Sequence, residues 1–139
     1  MFNLFKKKEK VIITDPTFGP ITFEPNHGID MWCRYPDNDI NYLVTIVASS
    51  SGPTDAQCSF FNIIKGNLQN QFSTCIQFIG KQTDAPTDHS QLHLYAIHIG
   101  TEIDIQQGKY TIELANSDEI EIHGIDFYGG NPSTYYCDD

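Results

Sequence analysis

Residues 54–79 form the one long stretch whose apolar side chains recur at helical spacing. Phe60, Ile64, Leu68, Phe72, Ile76 and Ile79 fall three or four positions apart, with Phe61 and Cys75 beside them, so one face of a helix is apolar. Thr54 and Gln57 have the spacing of a capping box, and Asp55 sits where the helix dipole favours a carboxylate. The pattern predicts one main helix over about 54–80. Its weakest point is Gly66, since glycine costs up to ~1 kcal/mol there relative to alanine. The opposite face is asparagine, glutamine and serine, with Lys65 its only charge before Lys81, and reads as a polar surface.

Strand patterns flank that helix on both sides. EKVIITD, PITFE, GIDMWCRYP and INYLVTIVAS precede it; LHLYAIHIG, KYTIELA and EIEIHGIDFYG follow it. INYLVTIVAS is the most apolar run and reads as a central strand. In GIDMWCRYP the alternation sends Met31, Cys33 and Tyr35 one way, Trp32 and Arg34 the other. DPTFGP carries turn chemistry and reads as a bend joining two strands, with Phe18 plugging the core edge. PDND at 36–39 is a turn and TDAPTDH at 83–89 a loop. Strands, then a helix, then strands predict an α+β domain: a single antiparallel sheet of five to eight strands packed against one helix. The expected core is Phe18, Phe23, Val44, Ile46, Phe60, Ile64, Leu68, Ile76, Leu94, Ile112, Leu114, Ile120 and Ile122. At 139 residues the chain fits one domain over 11–139 behind a basic flexible tail, residues 1–10.

Charge is unevenly placed. Lys6, Lys7, Lys8 and Lys10 are half of the eight basic residues; from Val11 onward four basic residues stand against 17 acidic ones, a net charge of −13. Such a body repels phosphate backbones, which argues against nucleic-acid binding, and attracts a basic partner. MFNLFKKKEK places its apolar residues before the lysines, unlike a secretory signal, and no run of 18 apolar residues occurs, so a cytoplasmic protein with reduced thiols is expected. A membrane-surface adaptor using residues 1–10 is an alternative, but one short segment binds marginally and the acidic body opposes it.

Reaction chemistry is sparse. Cys33, Cys58, Cys75 and Cys137 form no C-x-x-C pair, and no H-x-H or H-E-x-x-H spacing occurs, so no metal, cofactor or catalytic residue is expected. Cys58 and Cys75 read as small buried hydrophobes. His93 and His98 are five apart on one strand, so a period of two puts them on opposite faces. The rival to a non-enzymatic reading is a small enzyme or ligand-binding protein with a composite His–carboxylate pocket around His98 or His123. For partner contact, Asp118, Glu119, Glu121 and Asp126 with Tyr128, Tyr135 and Tyr136 offer carboxylates for steering and aromatics for anchoring.

The layout of a lysine-rich start, ITDPTFGPITFE, GPTDAQ before the helix and a final IEIHGIDFYGG resembles a group of small, mostly uncharacterised bacterial proteins that open with a D-x-x-F-G-x-[LI] strand–turn–strand. Members of such groups often look like immunity proteins that neutralise a toxin. The resemblance implies an acidic binding protein that occludes a basic toxin or another cationic partner, and it implies no catalytic residues.

Overall fold

The computed structural model describes residues 10–82 and 91–138. Most of the basic tail, residues 1–9, and the loop at 83–89 lie outside the described residues.

The DPTFG stretch is a structural bend. Strands β1 (Ile12–Asp15) and β2 (Gly19–Phe23) pair antiparallel, with Asp15 opposite Gly19. Asp15 Oδ1 accepts the backbone N–H groups of Thr17 at 2.8 Å and Phe18 at 2.9 Å, so the turn amides are satisfied. Gly19 takes φ +78°, where a side chain would be strained. Phe18 turns inward and stacks on Phe61 with ring centroids 4.7 Å apart.

The remaining strands are β3 (Met31–Arg34), β4 (Leu43–Val47), β5 (His93–Ile99), β6 (Tyr110–Ala115), β7 (Ile122–Tyr128) and β8 (Asn131–Asp138). All eight lie in one sheet in sequence order, with β4 and β5 central as expected for the apolar run. Neighbours are antiparallel with one exception: β4 and β5 run parallel, Val44 opposite Ile97 and Ile46 opposite Ile99. The purely antiparallel expectation is therefore corrected. A helical connection carries the chain back to the end of the sheet where β4 began, so the next strand enters in the same direction.

That connection is two helices rather than one. Helix α1 (Asp55–Gly66) and helix α2 (Leu68–Gly80) are separated by Asn67, whose φ −125° and ψ 24° leave the helical region. The break falls beside Gly66, where helical continuity is least favourable. The capping box forms as its spacing requires: Gln57 N–H donates to Thr54 Oγ1 and Gln57 Oε1 accepts from Thr54 N. Fully buried Gln57 also donates from Nε2 to Val47 O at 2.7 Å and Gly100 O at 2.8 Å, tying together the C-terminal ends of the two parallel strands. A short helix α3 (Glu102–Gln106), capped by Thr101 and Asp104, interrupts the second run of strands, so the order is not simply strands–helix–strands.

The core lies between α1, α2 and one face of the sheet. Trp32, Val44, Ile46, Ile97, Ile112, Leu114 and Ile125 from the strands meet Phe61, Ile64, Cys75 and Ile79 from the helices. Burial pushes the Cys75 thiol up to about 12. Phe23, Phe60, Leu68, Ile76 and Leu94 pack at its margin. Ile120 does not belong to it: it is 68% exposed. The alternation EIEIHG implied a strand from Glu119, but β7 begins at Ile122. Asn116 Oδ1 accepts the N–H groups of Ile120 and Glu121, and Glu119 takes φ +56°, so these residues form a turn. Among the described residues no helix is long and apolar enough to cross a membrane.

Candidate functional site: the sheet face away from the helices

A bulge in β5 builds this face. Leu94 pairs with Leu114 but Ala96 pairs with Glu113, so one extra residue is absorbed around Tyr95. The register places His93 opposite Ala115 and His98 opposite Thr111, two residues of the same face of β6. His93 and His98 therefore share a face, and the opposite-face expectation from a strict period of two is corrected.

His98 sits at the centre of a hydrogen-bonded row that crosses five strands. Thr45 Oγ1 of β4 lies 2.6 Å from His98 Nδ1, and His98 Nε2 lies 2.6 Å from Glu113 Oε1 of β6. Tyr136 of β8 donates its hydroxyl to Glu113 Oε2 at 3.0 Å, reaching over β7. It passes at Gly124, the register partner of both Glu113 and Tyr136. A parallel row runs one step along: Thr111 donates to Asp126 Oδ1 at 2.6 Å, and Thr134 to Asp126 Oδ2 at 3.4 Å.

The hydrogen bond from His98, with the Tyr136 hydroxyl adding to it, holds the Glu113 carboxyl below the usual carboxylate range against the opposing effect of burial. Burial and the Glu113 charge push the Tyr136 hydroxyl up, so it stays a donor at neutral pH. Because the folded value of Glu113 is depressed from 4.5, its ionised form favours folding. That contribution is complete above the ordinary carboxylate pKa and is lost as pH falls through the lowered one. Urea midpoints should accordingly fall with acidification below about pH 4.5 less steeply in Glu113→Gln than in the parent. Equal slopes would remove Glu113 from the acid limb.

Beside the rows opens a cleft of about 530 Å³ lined by Thr45, His98, Thr111, Asp104, Asp126 and Lys109, with Tyr128 at its mouth. Lys109 Nζ stands 5.4 Å from the Tyr128 ring centroid. A hydroxyl, an imidazole and a carboxylate in series have the order of a nucleophilic triad. Thr45, His98 and Glu113 lie on inner strands, however, whose backbone N–H groups are committed to the ladder on both sides. Among the described residues the arrangement gives Thr45 a base without an oxyanion cradle. It suits hydrogen-bonded recognition better than acyl transfer.

The structure divides the residues expected to bind a partner. Asp126 and Tyr136 belong to this face, and Tyr128 to the cleft mouth. Asp118 and Glu119 lie in the turn before β7, where Glu119 stands 3.7 Å from His93 Nε2. That turn and Tyr128 lie at opposite ends of the seven-residue β7, which rises about 3.3 Å per residue. Glu121 and Tyr135 are on the helix side. There, fully buried His123 has Nε2 2.6 Å from Glu121 Oε1 and Nδ1 2.6 Å from the Tyr135 hydroxyl, with Cys137 directly opposite in register. Thr45, Glu113, Thr111 and Cys137 were not singled out from sequence; the alternation in KYTIELA puts Thr111 and Glu113 on a wet face, but only the register supplies their partners. No known protein family matches the chain, and no curated protein and no solved structure shows significant similarity to it.

Proposed function

We propose that the protein is a non-enzymatic binding protein that occludes a basic protein partner, in the manner of an immunity protein, through the sheet face away from its helices. The observation that carries this reading is the composition of that face. Asp126 and Asp104 line a cleft that also contains a single lysine, Lys109, and the ring of Tyr128, and Glu113 with its Tyr136 donor stands in the adjoining row. The −13 charge of the chain from Val11 onward extends the same sign of field beyond the contact, which accelerates encounter with a cationic surface. Tyr136, held by its bond to Glu113, makes a better anchor than a mobile side chain because less rotamer freedom is lost on binding.

Co-expression with the product of the adjacent gene tests the reading. The two should co-purify, and the association rate should fall about tenfold or more as salt is raised from low to well above physiological. Asp126→Lys combined with Tyr136→Ala should abolish the complex, while Asn62→Lys on the outer surface of α1 should leave it intact. Failure of the neighbour to co-purify, or binding indifferent to the Asp126/Tyr136 change, overturns the proposal. A second reading, a polar small-molecule site, is favoured by one observation: His98 and Thr45 line the cleft itself.

A further inference from the structure

The geometry points to a transition-metal site, best suited to Zn²⁺, formed by Glu121, His123 and Cys137 on the helix side of the β7–β8 hairpin. Glu121, in the bend just before β7, brings its carboxylate to His123 with Oε1 2.6 Å from Nε2, and Cys137 is the direct cross-strand partner of His123. Their ligand atoms, a carboxylate oxygen, an imidazole nitrogen and the thiol sulfur, all lie within 4.8 Å of one another. Tetrahedral zinc, with bonds of about 2.0 Å to nitrogen and about 2.3 Å to sulfur, needs its ligand atoms roughly 3.3–3.8 Å apart. The outer separations close by side-chain rotation, and the 2.6 Å contact between His123 Nε2 and Glu121 Oε1 opens by less than about 1 Å.

Three further features fit a metal rather than an ordinary buried ion pair. The set mixes sulfur, nitrogen and oxygen, the donors borderline Zn²⁺ accepts together. One carboxylate and one thiolate balance a divalent ion, so the fully buried His123 ends beside a neutral centre. Finally, Tyr135 occupies the outer position such sites require. Its hydroxyl is 2.6 Å from His123 Nδ1 and its ring lies nearly parallel to the imidazole, 5.8 Å away at 22°. With Nε2 on the metal, the imidazole proton resides on Nδ1 and is donated to the Tyr135 oxygen, which fixes the tautomer and the ring plane. Binding displaces the Cys137 thiol proton to solvent, so affinity rises with pH. Three protein ligands leave a fourth position, and Cys137 and the partly exposed Glu121 keep it within reach of water.

Cobalt(II) is the probe. Untagged protein titrated with Co²⁺ should develop, at one equivalent, a near-ultraviolet thiolate-to-metal charge-transfer band and the intense visible bands of four-coordination, both bleached by Zn²⁺. Cys137→Ser should lose the charge-transfer band, and Glu121→Gln should weaken zinc binding by more than about 100-fold. Tyr135→Phe, which removes no ligand, should weaken it by about 10-fold. Both ligand variants alter side chains at the accessible edge, and far-ultraviolet circular dichroism checks that they remain folded. Absence of a charge-transfer band in the parent protein, or zinc affinity unchanged in the Cys137→Ser, Glu121→Gln double variant, overturns the assignment. Neither outcome depends on the partner-binding face.

Discussion

Replacing Arg34 by methionine should lower the stability by about 3 kcal/mol, seen as a fall of roughly 10 °C in Tm. Arg34 is 4% exposed and points into the helix side of the sheet, where an unpaired charge is not tolerated. Its guanidinium donates to Phe18 O at 2.9 Å and Tyr35 O at 2.6 Å, and pairs with Asp37 at 2.9 Å. It also lies under the β1–β2 turn: a Cβ on Gly19 would be 3.1 Å from Arg34 Nε. Methionine fills much of the same volume, so little cavity opens. What is lost is the donor set, leaving the buried Phe18 carbonyl without its partner and the half-buried Tyr35 carbonyl without a protein donor. Phe18 is held over Phe61 by the same turn, so the loss should propagate to the middle of α1. Hydrogen exchange should show faster opening at residues 11–23 than in β6 and β7. A change under about 0.5 kcal/mol, typical of a surface substitution, would make Arg34 a spectator.

The sheet and the helical stripe were legible because burial imposes a period. β4 is buried through its middle as its apolar run requires, β6 alternates over most of its length, and α1 opens at the capping box that Thr54 and Gln57 spell. The failures have local causes. At Asn67 the apolar stripe continues on both sides, so periodicity cannot see that the helix axis is interrupted; only the weak helical preference of Gly66 marks the place. Helix α3 is too short for a periodic signal, although Thr101 and Asp104 have a cap's spacing. Strand β8 was not read as a strand, because Pro132 and the polar run NPST hide it, yet Gly129–Gly130 is a two-residue hairpin signal and an edge strand tolerates proline. At Ile120 side-chain acceptance by Asn116 overrides the alternation.

The candidate sites were less legible than the fold, since each is made by register. His98 was recognised as a possible centre of a composite pocket, but Thr45 and Glu113 are 53 and 15 positions away from it. The bulge at Leu94–Ala96 decides which face His93 takes, and nothing in the alternation of LHLYAIHIG announces it. Cys137 is isolated in the sequence and meets His123 because the two-residue β7–β8 turn is followed by a bulge at Ser133, which shifts the register by one residue. Chemistry assembled across strands becomes visible once turns and bulges have fixed the pairing.

Gly124→Ala should destabilise the protein by about 2–3 kcal/mol. Its backbone lies outside the left-handed region, so alanine meets no conformational penalty and would ordinarily help by restricting the unfolded chain. The obstacle is Tyr136. A Cβ at Gly124 would sit 1.9 Å from the ring's Cζ and within 2.4 Å of both neighbouring ring carbons, so the ring must leave. Once displaced, the Tyr136 hydroxyl no longer reaches Glu113, and the row from Thr45 through His98 loses its last donor. The expectation is separable from a general intolerance of side chains in β7. In a Tyr136→Ala background the same Gly124→Ala change should be neutral or stabilising by about 0.5 kcal/mol, giving a coupling of about 2–3 kcal/mol in a double-mutant cycle. Additive effects would mean that the ring does not rest on the glycine and that the open-face row is held by other contacts. If the coupling is found, Gly124→Ala becomes a probe of function as well. It removes no charge from the face, so association with the proposed basic partner should keep its salt dependence while that complex dissociates faster through the lost tyrosine anchor.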